Sequence, residues 1–406
     1  MSELTYSVLD PWKAPRLGAS GKKIWVAFKA IVCGYIAYLL LAYAAHMIAG
    51  TSPVTTWQVY HFFPLKPTVE MGLIPELLWW IGLVAAVLIV MIGATGLAKI
   101  TYRQLKGDDF YGGSDAWRYA LEHGRSTVST PLILAVLFAF VCVALWVLGW
   151  ISTIPTVGPI LLGISAIPAF LAAFLGAYVL VVLLLSLLYT PAVIGTTGED
   201  GLEGAIQMFS MLWSLPWRTG GYTAVVVVTT TVGTYLLAVI SVGAVALVAA
   251  VVGGVLGPTF SDIATGVRVY LPPECTLLTD LPSWFWPGPL AALFPSIGLN
   301  PALAELPTGV AAVGAFLGGI SMLVVLGLIT AYALSSLTSG FTASYLALRR
   351  LKDGEMLLEW TDEVDELEEQ LPPETDEPVV TEETEEVTSD KEPADDTSEG
   401  ETAESE

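Results

Sequence analysis

Val157 to Tyr189 reads VGPILLGISAIPAFLAAFLGAYVLVVLLLSLLY, 33 residues without an Asp, Glu, Lys, Arg or His. Hydrocarbon about 30 Å thick is crossed by about 20 residues of α-helix, so the stretch predicts a membrane span with length to spare. Five others read the same way: Ile24 to Ala49, Leu73 to Ala98, Thr130 to Trp150, Ala224 to Leu256 and Val310 to Leu337. The spans starting at Val157 and Ala224 exceed the minimum, which predicts tilt or a kink, and Pro168 supplies a mechanical cause in the first. The chain is 54% hydrophobic with mean hydropathy +0.67, above the roughly 45–50% of soluble domains. The expected fold is an all-α integral membrane protein: a six-span helical bundle over residues 1–352, with cytoplasmic interfacial amphipathic helices, a short acidic amphipathic helix over 353–371 and a disordered acidic tail over 372–406.

The net charge of −22 is a property of one end. Residues 361–406 hold 21 Asp and Glu against Lys391 alone, leaving 18 acids and 16 bases in residues 1–360. Cationic loops resist translocation, so Lys and Arg set orientation. With both termini cytoplasmic, Lys13, Arg16, Lys22, Lys23, Lys29, Lys99, Arg103, Lys106, Arg118, Arg125, Arg218, Arg349, Arg350, Lys352 and Lys391 fall inside, and only Lys66 and Arg268 fall outside. An odd number of spans would break that separation. Lys22-Lys23 ahead of an apolar run, with Ala42-Tyr43-Ala44, has the parts of a secretory signal. The run is about 20 residues, longer than the 7–15 of a signal core, so it is read as an uncleaved first span. Cys33, Cys142 and Cys275 form no CxxC and predict no disulfide framework.

Two cytoplasmic connections look alike. One runs Gly107-Asp108-Asp109 into a helix with Trp117 and Leu121; the other runs Gly198-Glu199-Asp200 into one with Leu202, Ala205, Ile206, Phe209, Leu212 and Trp213. Apolar residues at a 3.6-residue period predict helices lying in the interface, and Asp200 with Glu203 reads as a capping box. Outside, Trp284-Phe285-Trp286-Pro287 reads as an aromatic anchor at headgroup level, with a lid over a cavity as the alternative. Beyond the last span, Leu357, Trp360, Val364, Leu367 and Leu371 recur by three and four; two heptads are marginal in water, so they read as a short solvated or frayed helix, with a seam for a partner or the bundle's own underside as the alternative. Past Pro372-Pro373 the chain lacks the apolar groups that offset ordering entropy.

Thr190-Pro191-Ala192-Val193-Ile194, followed by Ala205, Ser210, Leu212, Trp213, Pro216, Trp217 and Arg218, resembles an elbow in the membrane domain found beside some bacterial glycerophosphodiester phosphodiesterases and in related polytopic proteins. The resemblance covers about 30 residues and implies an accessory multi-span bundle with no catalytic residues to carry over.

Ionisable groups deep in hydrocarbon mark ion paths and proton relays, because burying them is costly unless they work. Here Lys29, His46, Glu76 and Lys99 all sit at span ends, which argues against a proton-coupled pump. HExxH, a nucleotide-binding glycine loop and GxSxG are absent. His46 and His61 near Glu70 are read as interfacial histidines rather than a metal site. Thr229, Thr230, Thr231 and Thr234, with Ser335 and Ser336, are read as packing hydroxyls or, alternatively, as the lining of a polar cavity. Gly314 with Gly318 and Gly253 with Gly257 offer close helix approach. No catalytic, metal-binding or cofactor-binding residue is assigned. The expected function is a non-catalytic accessory or scaffold protein of a prokaryotic cytoplasmic membrane, with the lipid bilayer and a membrane or basic cytoplasmic protein as partners and no nucleic acid. A transporter of a neutral or lipid-like solute is the alternative, ahead of an intramembrane enzyme.

Overall fold

The structure is a computed structural model that describes residues 10–64, 72–271, 308–354 and 357–359. Among these, every regular element is helical: α1 Ala14–Gly18, α2 Gly21–Ile48, α3 Pro53–Tyr60, α4 Leu73–Lys106, α5 Gly113–Glu122, α6 Gly124–Ile151, α7 Val157–Thr197, α8 Gly201–Ser214, α9 Pro216–Leu256, α10 Pro258–Val269 and α11 Val310–Asp353. Short 3-10 turns lie at Asp10–Lys13 and Leu357–Glu359. Six helices, α2, α4, α6, α7, α9 and α11, are long and apolar enough to cross a membrane. Five contain the whole of a predicted stretch, and α2 covers Ile24 to Ile48, with Ala49 as its cap.

Several run further than expected at the same end of the molecule. α4 continues to Lys106, α7 to Thr197 and α11 to Asp353, and α9 begins at Pro216. That end, here the base, gathers the lysine- and arginine-rich connections. α4, α7 and α11 each stop there at a left-handed glycine, Gly107, Gly198 and Gly354, whose N–H returns to the last turn and satisfies a carbonyl that the helix leaves open.

Packing changes along the bundle. At the base, α4 buries every residue from Gly93 to Tyr102, α7 every residue from Tyr189 to Thr196 and α11 every residue from Thr338 to Leu348. A helix buried on all its faces is surrounded, which needs small side chains where neighbours cross. A Cβ at Gly93 would stand 2.2 Å from Cβ of Ala30, one at Gly195 2.9 Å from the Thr95 carbonyl oxygen, and one at Gly340 2.7 Å from Cγ1 of Val226. Toward the other, distal end, α9 buries no residue between Thr231 and Leu256, and α6 none after Val141.

The distal end has its own seams. α10 folds back along α11, where Cβ positions at Gly314, Gly318 and Gly319 would meet Ile263, Val267 and Tyr270. Gly253 lies against Phe260 and Gly257 forms the turn at φ +59. The glycine pairs therefore accommodate a short helix folded back on the long ones. Residues His61 to Pro64 turn against α2, their carbonyls accepting hydrogen bonds from Tyr43 (2.6 Å), Tyr35 and Tyr38 (2.7 Å), with Trp79 also on Pro64.

Candidate functional site

The base is built from the N-terminus inward. The turn at Asp10–Lys13 and α1 lie against α9 and α11. Approach is close because residue 18 is glycine: a Cβ there would stand 2.4 Å from Cα of Ser336. The α1 carbonyls are then claimed by side chains of other helices. Ser335 Oγ donates to Gly18 (2.9 Å), Tyr332 to Pro15 (3.4 Å), and Lys23 Nζ to Leu17 (3.0 Å). Lys23 is fully buried, and its ammonium also donates to Ser339 Oγ at 3.4 Å, which shares a hydrogen bond with Thr101 Oγ1 at 3.0 Å. Oxygen acceptors at that spacing offset part of the cost of burying the charge.

On the other side of α4, cations cover aromatic rings. Lys99 Nζ sits 4.8 Å from the Tyr119 ring and 5.4 Å from Tyr102, Lys106 Nζ 5.3 Å from Tyr102, and the Arg103 guanidinium 5.8 Å from Tyr111. Tyr119 stacks on His123 at 4.0 Å and donates to the Ile194 carbonyl at 2.8 Å, tying α5 to α7. Burial raises the Tyr111 phenol above its ordinary range, opposed by Arg103. Tyr345 donates to Gln207, whose amide donates to Glu199. A shallow cleft beside them is lined by Gln207, Met211, Tyr345, Leu348, Arg349 and Lys352, and Arg349 pairs with Asp353 at 3.1 Å. These side chains are spent on one another and on the backbone. Among the described residues, no group of three or more His, Cys, Asp or Glu is placed to hold a metal ion.

The residues singled out in the sequence fall in several places. In α8, Gly201, Gly204, Ala205, Met208, Met211 and Leu212 face inward, Phe209 is half-buried, and Leu202, Ile206 and Trp213 (79% exposed) face outward. Trp217 is 92% exposed. In α5, Ala116 and Ala120 are buried, Trp117 is half-buried and Leu121 is exposed. Asp200 does stand at the start of α8, but its side chain caps nothing. The capping box is therefore absent; the neighbouring Glu199 instead accepts a hydrogen bond from the Gln207 side chain. Leu357 is buried in a single 3-10 turn, with its carbonyl accepting from Tyr102 at 2.7 Å. Trp360, Val364, Leu367, Leu371, Trp284, Trp286, Glu70 and Cys275 lie outside the described residues.

The hydroxyl cluster is divided. Thr229 donates to Val225 at 2.8 Å and Thr231 to Val227 at 2.7 Å within α9, while Thr230 and Ser336 meet at 3.3 Å between helices. Ser335 serves Gly18. Thr234 Oγ1 is buried without a hydrogen-bond partner.

Two groups escaped the sequence reading. Lys23 shares a helical face with Ala27, Ala30 and Gly34, all buried, and that small-residue stripe was the available signal separating it from Lys22. The distal cluster of Tyr35, Tyr38, Tyr43 and Trp79 had no such signal, since its partners are carbonyls. There His61 rests against Tyr270 at 5.1 Å and His46 against Tyr60 at 5.1 Å. Compared with known protein families, with curated proteins and with solved structures, the chain matches none.

Proposed function

We propose that this chain is a non-catalytic accessory or scaffold protein of a prokaryotic cytoplasmic membrane, binding lipid and partner proteins through its base. On this reading the distal halves of the six long helices lie in hydrocarbon. The base and both termini are cytoplasmic, and α5 and α8 lie in the inner interface. The observation that carries it is the outward side of α8. Leu202, Ile206 and Trp213 stand exposed on an element whose other side is packed, and Trp217, 92% exposed, follows in the first turn of α9. Contiguous apolar surface of that kind is rare against water and suits headgroups, where an indole satisfies both sides.

Two further points support the reading. Fifteen of the 17 Lys and Arg fall on the proposed cytoplasmic side, as the cost of translocating cations requires. The hydroxyls of Thr229, Thr230, Thr231, Ser335 and Ser336 are engaged inside the protein, which favours packing over a solute path. The resemblance of Thr190 to Arg218 to an accessory membrane domain points the same way.

Crosslinking in native membranes, with and without residues 361–406, tests the proposal. Capture of a defined partner set by the full chain, with members lost on truncation, is expected. A measured catalytic turnover by the purified chain, or solute uptake by vesicles containing it alone, contradicts it.

A further inference from the structure

One face of α2 carries features that neither the packed base nor α8 accounts for. Trp25 and Lys29 are one turn apart, the ammonium 5.8 Å from the indole centroid. Trp25 is 56% exposed, and above the pair Cys33, Ile36 and Leu40 continue as an exposed apolar stripe. On one flank Phe28 closes against α11, where a Cβ at Gly327 would stand 2.8 Å from its ring. On the other flank Lys22 Nζ holds the carbonyls of Asp109 (2.6 Å) and Tyr111 (3.1 Å). The loop so pinned presents Phe110, 98% exposed, with the Asp109 side chain also exposed beside it.

Depth makes this arrangement specific. Counting back from Ile48 at 1.5 Å per residue, a hydrocarbon layer of about 30 Å ends at Lys29. Lys29 therefore stands at the boundary between acyl chains and headgroups, with Trp25 and Phe110 at headgroup level and the 33–36–40 stripe in the hydrocarbon. Among the described residues, the indole of Trp25 is the one partner of the Lys29 ammonium, and no carboxylate neutralises it. A cation held over an indole at that depth, with an apolar track rising from it, is complementary to a phosphate and its acyl chain.

We propose that α2 carries a binding site for an anionic phospholipid of the cytoplasmic leaflet, its phosphate at Lys29 and an acyl chain along Cys33, Ile36 and Leu40. The site rests on the membrane orientation proposed above. Lys22 and Asp109 flank it, Lys22 positioning the Phe110 loop and Asp109 setting a limit on how many anionic groups can crowd there.

The test uses the full chain with Cys142→Ser and Cys275→Ser, so that a fluorophore is attached at Cys33 alone. The protein is reconstituted in phosphatidylcholine vesicles containing brominated phosphatidylglycerol or, separately, brominated phosphatidylcholine. Quenching is expected to show a roughly fivefold preference for the anionic lipid, the preference one lysine near a charged surface supplies. Lys29→Gln abolishes the preference and Lys29→Arg keeps it. Soluble glycerol phosphate does not compete. Equal quenching by the two lipids, or a preference unchanged in Lys29→Gln, overturns the site while leaving the membrane placement intact. Quenching by neither lipid places Cys33 outside the bilayer and overturns the membrane placement itself.

Discussion

Between Gly93 and Tyr102 helix α4 buries every residue; between Thr231 and Leu256 helix α9 buries none. Both segments are helical and both are rich in small and branched apolar residues, so the contrast lies in their surroundings. Burying a leucine releases free energy when the alternative is water and very little when the alternative is an acyl chain. If the distal halves lie in lipid, nothing drives them to close, and open space beside Gly149, Gly163, Gly243 and Gly254 is tolerated. On the same reading the base faces water and must close. It does so with glycine at the crossings and with hydroxyls bonded across helices.

The contrast breaks most sharply at glycines. Gly18→Ala places a methyl 2.4 Å from the Ser336 backbone, and the strain of such overpacking costs about 1–3 kcal/mol. Gly163→Ala and Gly243→Ala, with nothing within 4 Å, gain about 0.5–1 kcal/mol of helix propensity instead. Denaturation in detergent micelles reads all three. A loss at Gly163 or Gly243 equal to that at Gly18 removes the distinction between the two regions.

Next comes the buried lysine. Ser339→Val takes away the side-chain acceptor of Lys23 and the partner of Thr101, with an expected cost of about 1–3 kcal/mol. Lys23→Met, which removes the charge together with its need for partners, is expected to be near neutral. Measured in the same assay, a Lys23→Met loss as large as that of Ser339→Val shows that the ammonium itself holds α1 in place.

Tyr102→Phe deletes the hydrogen bond to the Leu357 carbonyl, worth about 1 kcal/mol. It is expected to raise the labelling rate of a cysteine placed at the neighbouring half-buried Leu358 roughly fivefold. Rates unchanged from the parent mean that the turn is held by burial of Leu357 alone.

The smallest effect belongs to the distal end. Burial lowers the His61 pKa below 6.5, so the folded protein takes up a proton there less readily than the unfolded chain. The stabilising contribution is therefore present above the unfolded pKa and declines as pH falls through and below it. The unfolding midpoint of the parent is expected to drop between about pH 8 and pH 5 by more than that of His61→Phe. Equal pH dependence in the two proteins shows that His61 is not its source.

The six long helices were legible because hydrocarbon thickness imposes a length that apolar runs reveal. Their extensions were harder to see. Ser335, Ser336, Thr338 and Ser339 look like the polar end of a span, yet all are buried, with Ser335, Ser336 and Ser339 bonded to neighbouring segments. Single-sequence periodicity does not register a helix surrounded on every side. In α8 the period was visible but the inward side was not, because glycine, alanine and methionine face the core while Leu202, Ile206 and Trp213 face out. The Glu199, Gln207 and Tyr345 chain includes a bond between residues 138 positions apart, a separation that carries no local signal.

Placement of the two regions on opposite sides of a bilayer is measured most directly with single cysteines at Asp109 in the base and Thr55 in α3, both exposed, in cells treated with a membrane-impermeant thiol reagent. Thr55→Cys is expected to react in intact cells, and Asp109→Cys only after the membrane is opened. Reaction of both from outside, or of Asp109→Cys alone, contradicts the account.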